Sequence, residues 1–127
     1  NFIRAKGAVY SGAATLISSL GMSFSELDRV MIAGGIGNSL DIENSIIIGL
    51  LPDIPRDKFS YIGNSSLIGS YLTLMSEDAR KKMECIASQM TYIELSVYPS
   101  YMDEFVSACF LPHTNTDDFP SLSSLLG

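Results

Sequence analysis

The residues whose types and spacing suit them to a ligand are Gly34, Gly35, Gly37 and Asn38, which directly follow the apolar run Val30-Met31-Ile32-Ala33. Glycine at such a place permits positive φ and lets a ligand approach the backbone, while asparagine tolerates the same turn and can hydrogen-bond. The same residues serve equally as a tight strand-to-helix turn with no ligand. Gly63-Asn64-Ser65-Ser66 repeats the chemistry in weaker form, its plain reading being an N-cap for the helix that follows. Neither loop has a familiar phosphate clamp. A dinucleotide fingerprint would need glycine at position 40, where Leu40 stands, and no Gly-Lys-Ser or Gly-Lys-Thr tripeptide occurs. A ligand here is expected to be held through its adenosine.

Other reactive groups are sparse, and no catalytic set is expected. His113 is the only histidine, which excludes a multi-histidine metal site within the chain and leaves a surface or packing role. Cys85 and Cys109 are too far apart for a paired-cysteine motif and are expected as buried thiols of a reducing compartment. The carboxylates Asp41, Glu43, Asp53 and Asp57 show no acid/base spacing. A net charge of −6 argues against a nucleic-acid partner, because phosphate backbones are bound by clustered Lys and Arg. The apolar stretch Ile46 to Leu51, closed by Pro52, is far too short for a bilayer, so no membrane span is expected. The chain opens at Asn1 without a methionine, directly in helical pattern, and is read as beginning at a fragment boundary.

The elements that must position the glycines can be read from periodicity. Ile3, Gly7, Tyr10, Ala14 and Ile17 predict a helix over 2–20 that packs closely on a neighbour, with Gly21 as its stop and a short link at Ser23 to Leu27. Val30 to Ala33 predicts a buried parallel strand whose end carries the glycine loop, and Ser39-Leu40-Asp41 caps a helix running to about Gly49. The unit repeats as a strand over 58–62 and a helix over 67–75, which implies an α/β layered fold. Ser76 caps an amphipathic helix reaching Gln89, and Pro99 begins another running to about Phe110. Thr91 to Val97 alternates and is predicted as a third strand near an edge. Residues 1–120 form the expected domain, with 121–127 as a mobile tail or linker.

Several segments, in order, resemble the C-terminal region of reductive activators of corrinoid proteins. They are Asn1 to Ala8, Ile32 to Ile42, Ile48 to Pro52, Tyr61 to Leu67, Thr91 to Ser96 and Phe110 to Thr114. The resemblance implies an actin-like, ribonuclease H-like ATPase subdomain of three or so strands with helices on the sheet, in the superfamily of acetate and sugar kinases, heat-shock chaperones and actin. It implies that Gly34, Gly35 and Gly37 form the adenosine-binding turn, with Asn38 beside them. It further implies ATP, with Mg in a longer parent, and an iron-sulfur cluster of that parent outside this chain. ATP hydrolysis would drive return of an inactive corrinoid protein to its reduced state for methyl transfer, in the cytoplasm. The partners implied are the corrinoid protein and the remaining domains of the parent, and the isolated piece is expected to be inactive. Ile36 stands where relatives are expected to carry an aromatic residue. A scaffold or homodimerisation domain is the competing reading, and a metabolite kinase of the same superfamily a third.

Overall fold

A computed structural model of the chain describes residues 1–35 and 37–126, with the side chains of Asn38, Ser124 and Leu126 outside the description. The expectation placed on Ile36 therefore lies outside the described residues. The chain divides into two compact units, one of 1–30, 41–59 and 94–127 and one of 31–40 and 60–93.

The larger unit is built on α1 (Phe2–Ser19), which packs on α5 (Tyr101–Ala108). Their approach is close because Gly7 has no side chain; a Cβ there would lie 2.9 Å from Cys109 Sγ. Gly21, at φ +68, ends the α1 segment as expected. The buried stripe of α1 is Lys6, Gly7, Tyr10, Ser11 and Thr15, so it is displaced from the apolar stripe of the sequence and takes in a lysine. Tyr10, Ile46, Ala108, Phe119 and Leu122 form the core. Ile46 comes from α2 (Ile42–Ile47), which is capped by the Asp41 carboxylate accepting from the Asn44 amide at 2.8 Å. Lys6 is fully buried, its ammonium donating to the carbonyls of Ala108, Phe110 and Pro112. Gly49, at φ +72, meets the same segment: a Cβ there would lie 2.2 Å from the Pro112 carbonyl oxygen.

The smaller unit carries a two-stranded parallel sheet of β1 (Val30–Ala33) and β2 (Phe59–Gly63), whose first residues belong to the larger unit. It continues into α3 (Ser65–Met75), capped by Asn64, and α4 (Glu77–Gln89), capped by Ser76, which pack on each other. No residue of either helix is buried.

Four expectations need correction. β1 is not a buried strand, since half-buried and exposed positions alternate and Met31 is 61% exposed. Thr91 to Val97 is not a third strand. Its alternation is real, with Leu95 packed 3.7 Å from the Cβ position of Gly12, but Val97 and Tyr98 amides turn back to the Glu94 and Leu95 carbonyls. Those local bonds make a 3₁₀ turn at Leu95–Val97 instead of a ladder. Cys85 is exposed because α4 presents no buried face at all, while Cys109 is half-buried. The expected tail is anchored at its start: Ser121 donates its amide to Asp53 at 2.7 Å and Leu122 is buried in the core, after which Ser123–Leu126 forms a last helical turn, α6.

No helix among the described residues is long and apolar enough to cross a membrane.

Candidate functional site

The glycine loop lies wholly in the smaller unit, at the carboxyl ends of β1 and β2, where ligands of parallel α/β sheets commonly sit. The Gly34 amide donates to the Gly63 carbonyl at 2.8 Å, which places the two strand-end loops side by side. Gly34 has φ +97 and Gly63 φ +67, a region that side chains with a Cβ rarely adopt. Both are glycine for a conformational reason before any question of a ligand arises.

Among the described residues, a Cβ built on Gly34, Gly35 or Gly63 would meet nothing within 4 Å, so they leave this stretch of backbone uncovered. Gly37 differs, being buried, with its Cβ position 2.8 Å from Ile32 Cγ2. Its role in the fold is close packing of the turn onto β1, so it supports the loop from beneath. From Gly37 to Ser39 the backbone makes a 3₁₀ turn, closed by the Gly37 amide on the Gly34 carbonyl at 3.2 Å and the Leu40 amide on the Gly37 carbonyl at 3.1 Å. Asn38 lies in that turn, and the reading of its side chain falls outside the described residues.

Tyr61 is a residue that the sequence reading did not single out. Its hydroxyl donates to the Leu40 carbonyl, tying the exit of the glycine loop to β2. Alternation within β2 could have flagged it, since Tyr61 shares a face with Phe59 and Gly63. On the other loop, Asn64 Oδ1 accepts from the Leu67 amide at 3.1 Å, so its side chain is engaged as an N-cap.

Chemically the arrangement offers backbone surface and turn geometry, not reactive side chains. Among the described residues, no group of three or more His, Cys, Asp or Glu side chains could hold a metal ion. His113 belongs to the larger unit, where it is buried; Nδ1 accepts from the Asn115 amide at 3.0 Å, and Nε2 lies 3.3 Å from Glu104 without hydrogen-bond geometry. The structure thus brings Gly34, Gly35 and Gly63 together at the strand ends, with their Cβ positions clear of the described residues, and sets Gly37 against Ile32.

Comparison with known proteins adds the following. A family model described as the C-terminal domain of RACo, the ASKHA domain, matches residues 1–123. The corrinoid activation enzyme RamQ of Eubacterium limosum is 34% identical over 102 residues, which are 80% of this chain and 17% of that protein. A solved structure of a reductive activator for corrinoid, iron-sulfur protein superposes with a TM-score of 0.89 at 51% identity, covering 94% of this chain and 19% of that one. The chain therefore spans less than a fifth of the length of these relatives.

Proposed function

We infer the function of this chain from the family to which it belongs, that of the RACo C-terminal domain, the ASKHA domain. The relatives are named as a corrinoid activation enzyme and a reductive activator for corrinoid, iron-sulfur protein. Our reading is that this chain is the nucleotide-binding C-terminal part of an ATP-dependent activator of a corrinoid protein, and that Gly34 and Gly35 form the ledge on which adenosine rests. ASKHA membership suggests nucleotide binding in general. The observation that carries the assignment to this loop is the open space over Gly34, Gly35 and Gly63 at the strand ends. Flat adenine packs best on backbone with no side chain in the way, and the described residues leave the backbone of Gly34, Gly35 and Gly63 uncovered, which supports the reading.

The corrinoid protein, Mg, the iron-sulfur cluster and the remaining domains belong to the longer parent in this reading, which works in the cytoplasm. Nucleotide would favour one arrangement of that parent over another, and the difference in affinity between arrangements is the energy available for driving electron transfer uphill.

The test is calorimetric titration of the chain with ATP and ADP, before and after Gly35→Val. Among the described residues no neighbour lies within 4 Å of the Cβ position, so valine should be tolerated in the free protein and the thermal midpoint should hold. Nucleotide affinity should fall at least about tenfold, or about 1.4 kcal/mol. Unchanged affinity would remove the adenosine site from this loop.

A scaffold role has one observation in its favour. Leu67, Tyr71, Leu74 and Met75 of α3 are 61–77% exposed, an apolar surface suited to contact with other protein. Failure to bind nucleotide together with a dimer in sedimentation would favour that reading.

A further inference from the structure

The larger unit contains a cleft of about 440 Å³ that borrows no residue from either glycine loop. Its wall carries the carboxylates Asp53, Glu104, Asp117 and Asp118, and among the described residues no Lys, Arg or His lines it. Asp53 is already committed, accepting from Arg56 Nη1 at 2.6 Å and from the Ser121 amide and hydroxyl. Asp118 accepts from the Asn115 side-chain amide at 3.1 Å, a neutral donor that leaves its charge in place. Glu104 faces His113 Nε2 at 3.3 Å, out of line for a hydrogen bond. The ring's Nδ1 is an acceptor for the Asn115 amide, which puts a hydrogen on Nε2. Among the described residues no ion pair neutralises Asp117 or Asp118.

Two further features accompany this negative field. Thr15 forms part of the wall, is 2% exposed, and its buried hydroxyl has no hydrogen-bond partner, which is uncommon for a buried polar atom. Tyr10 and Phe24 also line the cleft, their rings 5.6 Å apart, with Tyr10 almost wholly buried behind the wall. Burial, then the charges of Asp118, Glu104 and Asp53, hold the Tyr10 phenol far above its usual range, so the ring stays neutral. Carboxylates beside neutral aromatic rings, three of the carboxylates outside the Arg56 ion pair, are the surroundings in which an organic cation is stabilised.

We propose that this cleft is a binding site for a small organic cation of the alkylguanidinium or alkylammonium class, with Asp117, Asp118 and Glu104 meeting its charge, Tyr10 and Phe24 its hydrocarbon part, and Thr15 a remaining polar contact. The site is independent of the nucleotide reading.

The test uses the whole chain, titrated at low salt with butylguanidinium chloride and, in parallel, with the neutral butylurea, following backbone amide NMR shifts. Saturable shifts at Thr15, Ser18, Glu104 and Asp117 are expected with the cation and not with the urea. The double variant Asp117→Asn with Asp118→Asn should weaken binding about tenfold or more, the size of a lost charge-assisted contact. Because Asp118 also receives Asn115, Glu104→Gln gives an independent weakening should the double variant lose its amide spectrum. Equal shifts with butylurea, no saturable shift, or a folded carboxylate variant that binds as tightly as the parent would each overturn the proposal.

Discussion

At the scale of single residues the molecule turns on Lys6. Its ammonium has three donors, and three carbonyls around the end of α5 use them. Burial pulls its pKa below the ordinary lysine value, an effect that nearby Cys109 offsets only in part. Lys6→Met keeps much of the hydrocarbon stem and removes only the donors. It should cost about 3 kcal/mol or more, at no less than about 1 kcal/mol for each buried carbonyl left unpaired, read as a lower urea midpoint at unchanged slope. A loss below about 1 kcal/mol would mean that water reaches those carbonyls. The sequence made the glycines legible and Lys6 invisible, for a physical reason. Gly34 announces itself because its conformation excludes other residues, whereas the burial of a lysine depends on carbonyls more than a hundred positions away. Gly37 was read as one of the ligand glycines, yet its contact with Ile32 is a packing fact that spacing alone does not carry.

At the scale of elements, local chemistry decided where helices begin, and there the sequence was a good guide. Asp41, Asn64 and Ser76 each cap the helix expected of them, because a cap needs only a side chain and an amide three residues on. Thr91 to Val97 misled because a strand needs a neighbour, which alternation cannot supply. Arg56 is where elements are tied together: it donates to Glu43 in the first turn of α2, to Asp53, and to Ser121 beyond the core residue Phe119. The Arg56 hydrogen bonds hold the Glu43 carboxyl below its usual value of 4.5. Burial pushes Asp53 up, but Arg56 and Ser121 outweigh it and leave the carboxyl below 3.8. Folded-state values lowered in this way give stability that is present above the unfolded values and lost as pH falls through the folded ones. Arg56→Met should therefore cost about 2 kcal/mol at neutral pH for the bond to buried Asp53. The gap between variant and parent in urea midpoint should close as pH drops below about 4, where the unfolded carboxyls take up protons. A gap that persists undiminished into acid would mean that Arg56 stabilises by packing rather than by charge.

At the scale of the whole molecule, the two units differ in what they bury. The larger one holds every residue of the core, from Tyr10 on α1 to Leu122. In the smaller one neither α3 nor α4 has a buried residue, and large apolar side chains such as Leu74 at 77% and Met75 at 66% face outward. Burial of apolar area is the chief source of stability, at about 25 cal/mol per Å², so the two units have very unequal resources for resisting local opening. The consequence is measurable by hydrogen exchange on the chain alone. Amides in the middle of α3, around Gly69 and Ser70, should exchange through small openings well below the global unfolding free energy. Amides in the middle of α1, around Tyr10 and Ser11, should exchange only with global unfolding, and so follow urea in parallel with it. On the proposed adenosine reading, nucleotide at saturating concentration should slow exchange in the loop over 34–40 and at the start of α3, where Asn64 ties Leu67 to the strand end, because a ligand that binds only the unopened form stabilises it by mass action. Uniform protection across both units, equal in α1 and α3, would show that the exposed face of α3 costs the smaller unit nothing and that its stability comes from a source other than burial.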